Sequence, residues 1–448
     1  MNYLASICIC LAWPLATAVP ALAEERVGPL AEYVRAPDAS FGWVKRREGR
    51  LGGNSYVELT LTSQTWRGIV WKHQLFIIKP DRVRDASRAL LLIGGGSWRD
   101  ELAEPITDGE AELPREAALL SSLAAEIAGP VAVLLHVPQQ PIFGGMYEDD
   151  IISHTFVEYM KTRDPTWPLL LPMVKSAVRG MDAVADFALD EWSLEIKNFT
   201  LTGASKRGWT TWLAAAVDPR VDALAPMVID VLNMAPQMQH QLDTWGKFSE
   251  QIEDYTKRGI QARTATEEGA LLRGIVDPYS YRRVLVQPKL ILLGTNDRYW
   301  PLDALNLYWD GLPGEKHVLY VPNNGHGLRD FARVVGSIAA LHRQAAGELK
   351  LPRLSWDLAA GEAGLRLELR SDRRPARVQA WTASSASKDF REARWESVTL
   401  QANSDTYRYE LPRPAEDYVA MFGEAMFETD GLPYFLSTNV KILAPASK

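Results

Sequence analysis

A serine, an aspartate and a histidine each follow a predicted strand, in an order suited to acyl transfer. Ser205 follows the apolar run 199–202 and precedes a predicted helix at 209–217. Asp297 and His326 each end a later apolar run. A serine hydroxyl becomes a good nucleophile when a histidine takes its proton, and an acid holds that histidine in the required tautomer. The sequence therefore predicts a catalytic triad of Ser205, Asp297 and His326.

The segment around Ser205 resembles a tight strand-to-helix turn. Gly203 precedes the serine and Gly208 follows it, and glycines let a strand and a helix approach without Cβ clashes. Arg207 occupies the position of the second glycine in the common G-x-S-x-G pattern, so the match is incomplete. A purely structural turn serine is the alternative. The chain order Ser, Asp, His is that of the α/β-hydrolases and favours the nucleophile.

Each of the other two triad positions also has an alternative. Asp303 is a rival acid, and Asp297 itself is compatible with a turn or helix-cap role before Pro301. His326, between two glycines, is compatible with a solvated loop histidine. The remaining histidines do not follow a strand in the required order, so we expect them to have no catalytic role.

A glycine run gives candidates for an oxyanion hole. The predicted strand 89–93 leads into Gly94-Gly-Gly-Ser-Trp98, where backbone N–H groups can meet a tetrahedral intermediate. We expect Gly95 and Gly96 to donate, together with the N–H of Lys206; a flexible turn is the alternative. We expect Trp98 and Trp300 to contact substrate.

The Lys206 side chain has two interpretations. A cation beside the nucleophile can stabilise an oxyanion or bind an acidic substrate group. The alternative is a solvated lysine on the first turn of a helix, where a positive charge is mildly disfavoured by the helix dipole.

Hydrophobic periodicity predicts an α/β fold over residues 24–350. An antiparallel β region at 33–83 precedes alternating strands and helices, which indicate a mostly parallel sheet with helices on both faces. The polar, helical stretch at about 233–283 interrupts this alternation and is predicted to form a lid over the site; a decorative helical pair is the alternative. The pattern as a whole predicts an α/β-hydrolase fold.

Short alternating strands separated by polar turns fill residues 351–448 and predict a β-sandwich domain. Trp381 and Trp395 lie in these strands, and we expect them in its core. Because the region follows His326, we expect it to be separable and to support catalysis without performing it.

Composition and charge restrict the class of protein. The chain has 448 residues, a net charge of −7 and no basic stretch, which argues against nucleic acid or a membrane surface as partner. The apolar run 4–19, followed by Ala21-Leu-Ala23, predicts a signal peptide at residues 1–23 and a periplasmic or secreted protein. An uncleaved anchor is the alternative. Both cysteines lie in this segment, so we expect a mature chain with no thiol and no cysteine-ligated metal. We also expect no bound metal and no cofactor.

Three blocks of sequence carry a resemblance to a known family. Residues 203–212, 218–221 and 226–233 resemble the PhoPQ-activated pathogenicity-related proteins, and the similarity covers most of 30–445. The resemblance implies an α/β-hydrolase-like fold with an immunoglobulin-like tail, and Ser205, Asp297 and His326 as triad, but no substrate. The order Gly203, Ser205, Lys206, Gly208 is also similar to the glucuronoyl esterases, with Lys where those enzymes have Arg.

The sequence thus predicts a secreted serine hydrolase that cleaves an ester or amide in a small molecule, a peptide or a carbohydrate. Esterase and peptidase are not separated, because both pass through an acyl-enzyme. A uronic acid esterase is one alternative. A non-catalytic binding protein on a hydrolase scaffold is the other, since fold does not imply function.

Overall fold

The structure is a computed structural model that describes residues 28–103, 113, 117–429 and 432–446. The predicted signal peptide at 1–23 lies outside these residues. Among the described helices, none has both the length and the apolar character that crossing a membrane requires.

The described strands, numbered along the chain, are β1 (Gly42–Leu51), β2 (Asn54–Trp66), β3 (Ile69–Lys79), β4 (Arg88–Ile93), β5 (Val131–Leu134), β6 (Asn198–Ala204), β7 (Val221–Met227), β8 (Lys289–Gly294), β9 (Lys316–Val321), β10 (Leu354–Gly361), β11 (Gly364–Ser371), β12 (Arg377–Ser385), β13 (Glu396–Thr399), β14 (Ala402–Asn403), β15 (Thr406–Pro412), β16 (Tyr418–Thr429), β17 (Leu432–Ser437) and β18 (Lys441–Leu443).

The described α-helices are α1 (Pro29–Arg35), α2 (Ala117–Ile127), α3 (Glu148–Thr162), α4 (Leu170–Trp192), α5 (Lys206–Val217), α6 (Met234–Trp245), α7 (Glu253–Lys257), α8 (Ile260–Arg263), α9 (Glu267–Val276) and α10 (Phe331–Ala345). Short 3₁₀ turns lie at Asp100–Ala103, Glu250–Ile252, Pro278–Val284 and Ala304–Leu307.

The central sheet has the strand order β1-β2-β3-β5-β4-β6-β7-β8-β9. The first three strands are antiparallel, and every neighbouring pair from β5 to β9 is parallel. Parallel neighbours require crossover connections. α-Helices lie in each of these connections except that from β8 to β9, which contains the 3₁₀ turn Ala304–Leu307. The predicted α/β class is therefore confirmed. Helix α3 was not predicted from the sequence.

Both faces of the parallel strands are buried. In β8, Ile291 and Leu293 belong to one hydrophobic core, and Leu290 and Leu292 belong to the core on the other face. Strands covered on both faces read as continuous apolar runs, which is why this segment lacks polar alternation. In sheets of this type the carboxyl ends of the strands carry the functional groups.

A helical insertion, α6 to α9, connects β7 to β8 where the lid was predicted. The buried Asp277 carboxylate fastens both ends of this insertion, because it accepts N–H groups of Asn233 and Met234 at 3.2 and 2.9 Å and of Tyr279 at 2.9 Å. Burial raises the pKa of Asp277 to about 6. We refer to residues 233–283 as the lid.

Strands after Leu351 divide between two sheets. The order β10-β11-β15-β14 forms a separate sheet, whereas β17, β16, β12 and β13 continue the central sheet beyond β9 through the pair Ser437 and Val318. Leu367 of the separate sheet and Met421 of the central sheet share one core. The expected separable domain therefore shares a sheet with the hydrolase strands. An immunoglobulin-like topology stays a prediction.

Candidate active site

Ser205 occupies a strained turn between β6 and α5. Its backbone has φ 59° and ψ −129°, a conformation that non-glycine residues rarely adopt. A Cβ on Gly203 would lie 2.7 Å from the Arg207 carbonyl oxygen, and one on Gly208 would lie 2.9 Å from the Gly203 carbonyl oxygen. The two glycines thus permit the close approach that the turn requires. This is the geometry of a nucleophile elbow.

Asp297 and His326 lie in the loops that follow β8 and β9. Nδ1 of His326 lies 2.8 Å from Oδ2 of Asp297, and the other carboxylate oxygen accepts the Tyr299 N–H at 2.9 Å. The Tyr299 ring stacks on the imidazole, with centroids 4.1 Å apart and planes inclined by 26°. The imidazole is therefore held both at Nδ1 and on one ring face.

The remaining nitrogen of His326 has no assigned protein partner. Nε2 is buried and makes no hydrogen bond to any described residue. His326 lines the same cavity as Ser205, Lys206 and Trp300. The structure therefore brings together the serine, the histidine and, through Nδ1, the acid that the sequence predicted.

The rival acid Asp303 has a different partner. Its Oδ1 lies 2.7 Å from Nε2 of His240, a residue of α6. This hydrogen bond, together with the carboxylate charge, outweighs the opposing effect of burial and raises the pKa of His240. Asp303 and His240 thus form a second Asp–His pair that does not involve His326, and Asp297 is the acid beside His326.

Lys206 begins helix α5, so its backbone N–H has no intrahelical acceptor and remains available to a ligand. The Gly95 and Gly96 N–H groups likewise have no acceptor within the described residues. The Gly95 carbonyl, in contrast, accepts the His136 N–H at 2.9 Å. These are the three predicted oxyanion donors, and each has a free N–H.

The Lys206 side chain is buried, which overturns its interpretation as a solvated surface lysine. Nζ lies 2.7 Å from Oε2 of Glu148 and 3.1 Å from Oδ2 of Asp149. Burial opposes ionisation of Glu148, but hydrogen bonds from Arg207 and the charges of both cations outweigh it and lower its pKa to about 2. The Lys206 charge is therefore neutralised by two carboxylates.

Arg207, the departure from the common serine motif, links several parts of the site. Its guanidinium donates to both oxygens of Glu148, at 2.6 and 2.8 Å, and to the Val137 carbonyl at 2.6 Å. It also packs against the glycine run, because a Cβ on Gly95 would lie 2.5 Å from Nη2. Arg207 thus connects the glycine loop, α3 and the serine turn.

Of the two tryptophans predicted to contact substrate, only Trp300 lines the cavity. Trp300 lines the cavity, and its indole nitrogen has no hydrogen-bond partner among the described residues. Trp98 packs edge-to-face on His136, with centroids 5.8 Å apart. Among the described residues that line the cavity, Trp98, Gly95 and Gly96 are absent. The structure therefore places none of these three residues along the cavity that Ser205 lines.

Sequence reasoning missed Glu148, Asp149 and Tyr299. The first two begin α3 within an acidic run, and acidic residues are favourable in the first turn of a helix. That run was the available signal for the helix. No sequence pattern singled out Tyr299, because its role depends on the ring it stacks against.

Strand order and the serine turn together define an α/β-hydrolase fold. The chain belongs to the PhoPQ-activated pathogenicity-related protein family, whose sequence model matches residues 30–391. It is 33% identical to autocrine proliferation repressor protein A of Dictyostelium discoideum over 393 residues. This matched region covers 81% of this chain and 76% of that relative.

Solved structures with similarity to this chain include two carbohydrate esterases. An acetyl xylan esterase from Paenibacillus sp. R4 has a TM-score of 0.47 and 13% identity, covering 68% of this chain and 91% of that one. A glucuronoyl esterase from Solibacter usitatus has a TM-score of 0.40 and 12% identity, covering 70% of this chain and 91% of that one.

Proposed function

We propose that this protein is a serine hydrolase that cleaves an ester or amide bond through an acyl-enzyme on Ser205. One observation carries the proposal: His326, with Nδ1 on Asp297 and Nε2 unassigned, lines the same cavity as a serine on a strained turn. A base oriented by an acid and a nucleophile exposed on a tight turn are the two elements of this chemistry.

In the proposed reaction, Ser205 Oγ attacks the substrate carbonyl carbon while its proton passes to Nε2 of His326. Asp297 stabilises the imidazolium, and the N–H groups of Lys206 and of Gly95 or Gly96 stabilise the oxyanion. The imidazolium returns its proton to the leaving alcohol or amine as the tetrahedral intermediate collapses. Water then attacks the acyl-enzyme with His326 as base, and the acid is released.

Covalent labelling with a fluorophosphonate tests this proposal. We expect the wild-type protein to be labelled on Ser205 and the Ser205→Ala variant to remain unlabelled. Ser122→Ala, which removes an exposed hydroxyl from α2, is the matched control and should be labelled like the wild type. Equal labelling of Ser205→Ala and the wild type would show that Ser205 is not the nucleophile.

The sequence left two alternatives to this proposal, a non-catalytic binding protein and a uronic acid esterase. A non-catalytic binding protein needs no reactive serine, so a folded wild type that resists labelling and turns over no ester or peptide supports it. A uronic acid esterase needs a cation for the substrate carboxylate. The pairing of Lys206 with Glu148 and Asp149 argues against that role.

We also propose that the protein acts outside the cytoplasm, in the periplasm or after secretion. The support is the predicted signal peptide at 1–23 and the resulting absence of cysteine from the mature chain.

A further inference from the structure

The cavity beside Ser205 is lined mainly by apolar side chains from the segment after β7, from α3 and from the lid. Phe156 and Met160 come from α3, and Met238, Ile260 and Leu272 come from the lid. Its volume is about 90 Å³, which is more than a single water needs. An acetyl group would leave most of this space empty.

Two charged groups that line the cavity beside Ser205, those of Lys206 and Asp149, are paired with each other. Lys206 is paired with Asp149 at 3.1 Å, and the second Asp149 oxygen accepts the Tyr255 hydroxyl at 2.9 Å. A sugar hydroxyl or a carboxylate placed among the apolar side chains of α3 and the lid would lose its hydrogen bonds to water. The lining residues do carry polar atoms that are unpaired within the described part of the chain, on Gln261, Arg273 and Trp300 besides His326. Burying an unpartnered polar group is costly.

From these contacts we infer that the cavity is the subsite for an extended apolar chain on the substrate. The substrate is then an ester or amide with an aliphatic or aromatic group of several carbons on one side of the scissile bond. This inference rests on the proposed function, because it uses Ser205 and His326 to place the scissile bond at the polar end of the cavity.

Part of the apolar lining of the cavity comes from the lid. Met238, Ile260 and Leu272 belong to the lid, so this insertion supplies part of the apolar surface of the cavity. Removing a methylene from water contributes enough to change binding by about three- to fourfold. Where that gain is realised in the transition state, kcat/KM should rise by a similar factor for each added methylene.

The experiment measures kcat/KM of the wild type on two series of esters. One series extends the acyl group from nitrophenyl acetate through butyrate, hexanoate and octanoate to laurate. The other keeps acetate and extends the alcohol. We expect one series to rise about three- to fourfold per methylene until the cavity is full and then to level off or fall. The series that rises identifies the side of the scissile bond that enters the cavity.

A pair of adjacent residues on α9 gives a matched test of the cavity itself. Leu272 lines it and is 4% exposed, whereas Leu271 is 51% exposed. Leu272→Trp should fill the cavity and lower the ratio of long-chain to acetate activity at least tenfold. Leu271→Trp should keep the wild-type ratio.

Failure of the apolar subsite and failure of the proposed hydrolase activity give different results in these experiments. Flat or falling rates along both series, in a protein whose Ser205 is labelled by a fluorophosphonate, would overturn the apolar subsite and leave the hydrolase. A folded protein without labelling or turnover would overturn the hydrolase first. The wild-type series need no variant, so misfolding of Leu272→Trp does not leave the inference without a test.

Discussion

Asn323 and Trp395 exchange two hydrogen bonds between the histidine loop and the C-terminal strands. The Asn323 side-chain amide donates to the Trp395 carbonyl at 3.0 Å, and its oxygen accepts the Trp395 N–H at 2.8 Å. Next to the acid, the Asn296 amide donates to the Ala393 carbonyl at 2.7 Å. One C-terminal segment thus fastens both loops that carry Asp297 and His326, and this is how the tail reaches the site.

We therefore predict that Asn323 is a positioning residue. Asn323→Ala should lower kcat by roughly ten- to a hundredfold with little change in KM. A small displacement of the catalytic base lowers the rate of the chemical step, whereas the cavity that binds the substrate stays intact. The exposed Asn403→Ala in β14 is the control and should behave like the wild type. A loss confined to thermal stability, with kcat unchanged, would contradict this role.

The same contacts alter the expectation for a chain that ends near Lys350. The sequence predicted a separable domain that supports catalysis without performing it, so a folded chain without that domain would keep its activity on a small ester. The truncation removes Trp395 and Ala393 as partners of the two loops, and it removes β17 from the edge of β9. We now expect a folded truncation to lose most turnover, which an assay with nitrophenyl acetate beside a far-ultraviolet spectrum checks.

The two Asp–His pairs provide an internal comparison for the base. His326→Gln should reduce kcat/KM by about 10⁴-fold, since the serine loses its proton acceptor. His240→Gln breaks the similar pair with Asp303 at 2.7 Å, yet should leave the rate near that of the wild type. Comparable losses in the two variants would show that turnover depends on the packing of the pairs and not on His326.

The paired state of Lys206 predicts how its loss affects different substrates. Lys206→Met leaves Glu148 and Asp149 without their shared cation, which should lower the free energy of unfolding by on the order of 2 kcal/mol, allowing for partial exposure of the carboxylates. Because the charge is already neutralised, we expect equal losses of kcat/KM on neutral and anionic esters. Lys161→Met, which breaks an exposed pair with Glu158, is the control. A selective loss on anionic esters would restore the cation as a substrate contact.

Buried Asp230 predicts a dependence of stability on pH. Burial, and then the nearby charges of Asp297 and Asp303, outweigh the hydrogen bond from Tyr308 and raise its pKa from 3.8 to about 7. The folded state therefore binds a proton that the unfolded state has released, so this group costs stability as pH rises from about 4 to about 7. Asp230→Asn should remove this part of the decline, which is on the order of a few kcal/mol.

Chemical unfolding of both proteins at several pH values measures this effect. The exposed Asp310→Asn tests whether loss of any carboxylate gives the same result. If wild type and Asp230→Asn decline in parallel over this range, Asp230 is not the group responsible.

If the predicted signal peptide at residues 1–23 is cleaved on export, the mature chain begins near Glu24. Amino-terminal sequencing or the intact mass of protein from its native host measures this, and retention of residues 1–23 would indicate an anchor. Because both cysteines lie within the predicted signal, a reducing agent should leave the melting temperature of the mature protein unchanged.

The sequence by itself determined the α/β class and the candidate triad, because each depends on local pattern and chain order. Apolar runs such as β8 identify strands buried on both faces, and Gly203 and Gly208 mark the two positions of the serine turn where a Cβ would clash. Parallel strands bring their carboxyl ends to one edge, so residues that end such strands meet without any further information.

Only the tertiary structure decided which partners these residues have. The pairing of Lys206 with Asp149, the stacking of Tyr299 on His326 and the link between Asn323 and Trp395 join segments far apart in the chain. No local periodicity encodes such contacts. They depend on how the lid, α3 and the C-terminal strands pack around the sheet, and burial then decides which charges are neutralised and which stay free to act.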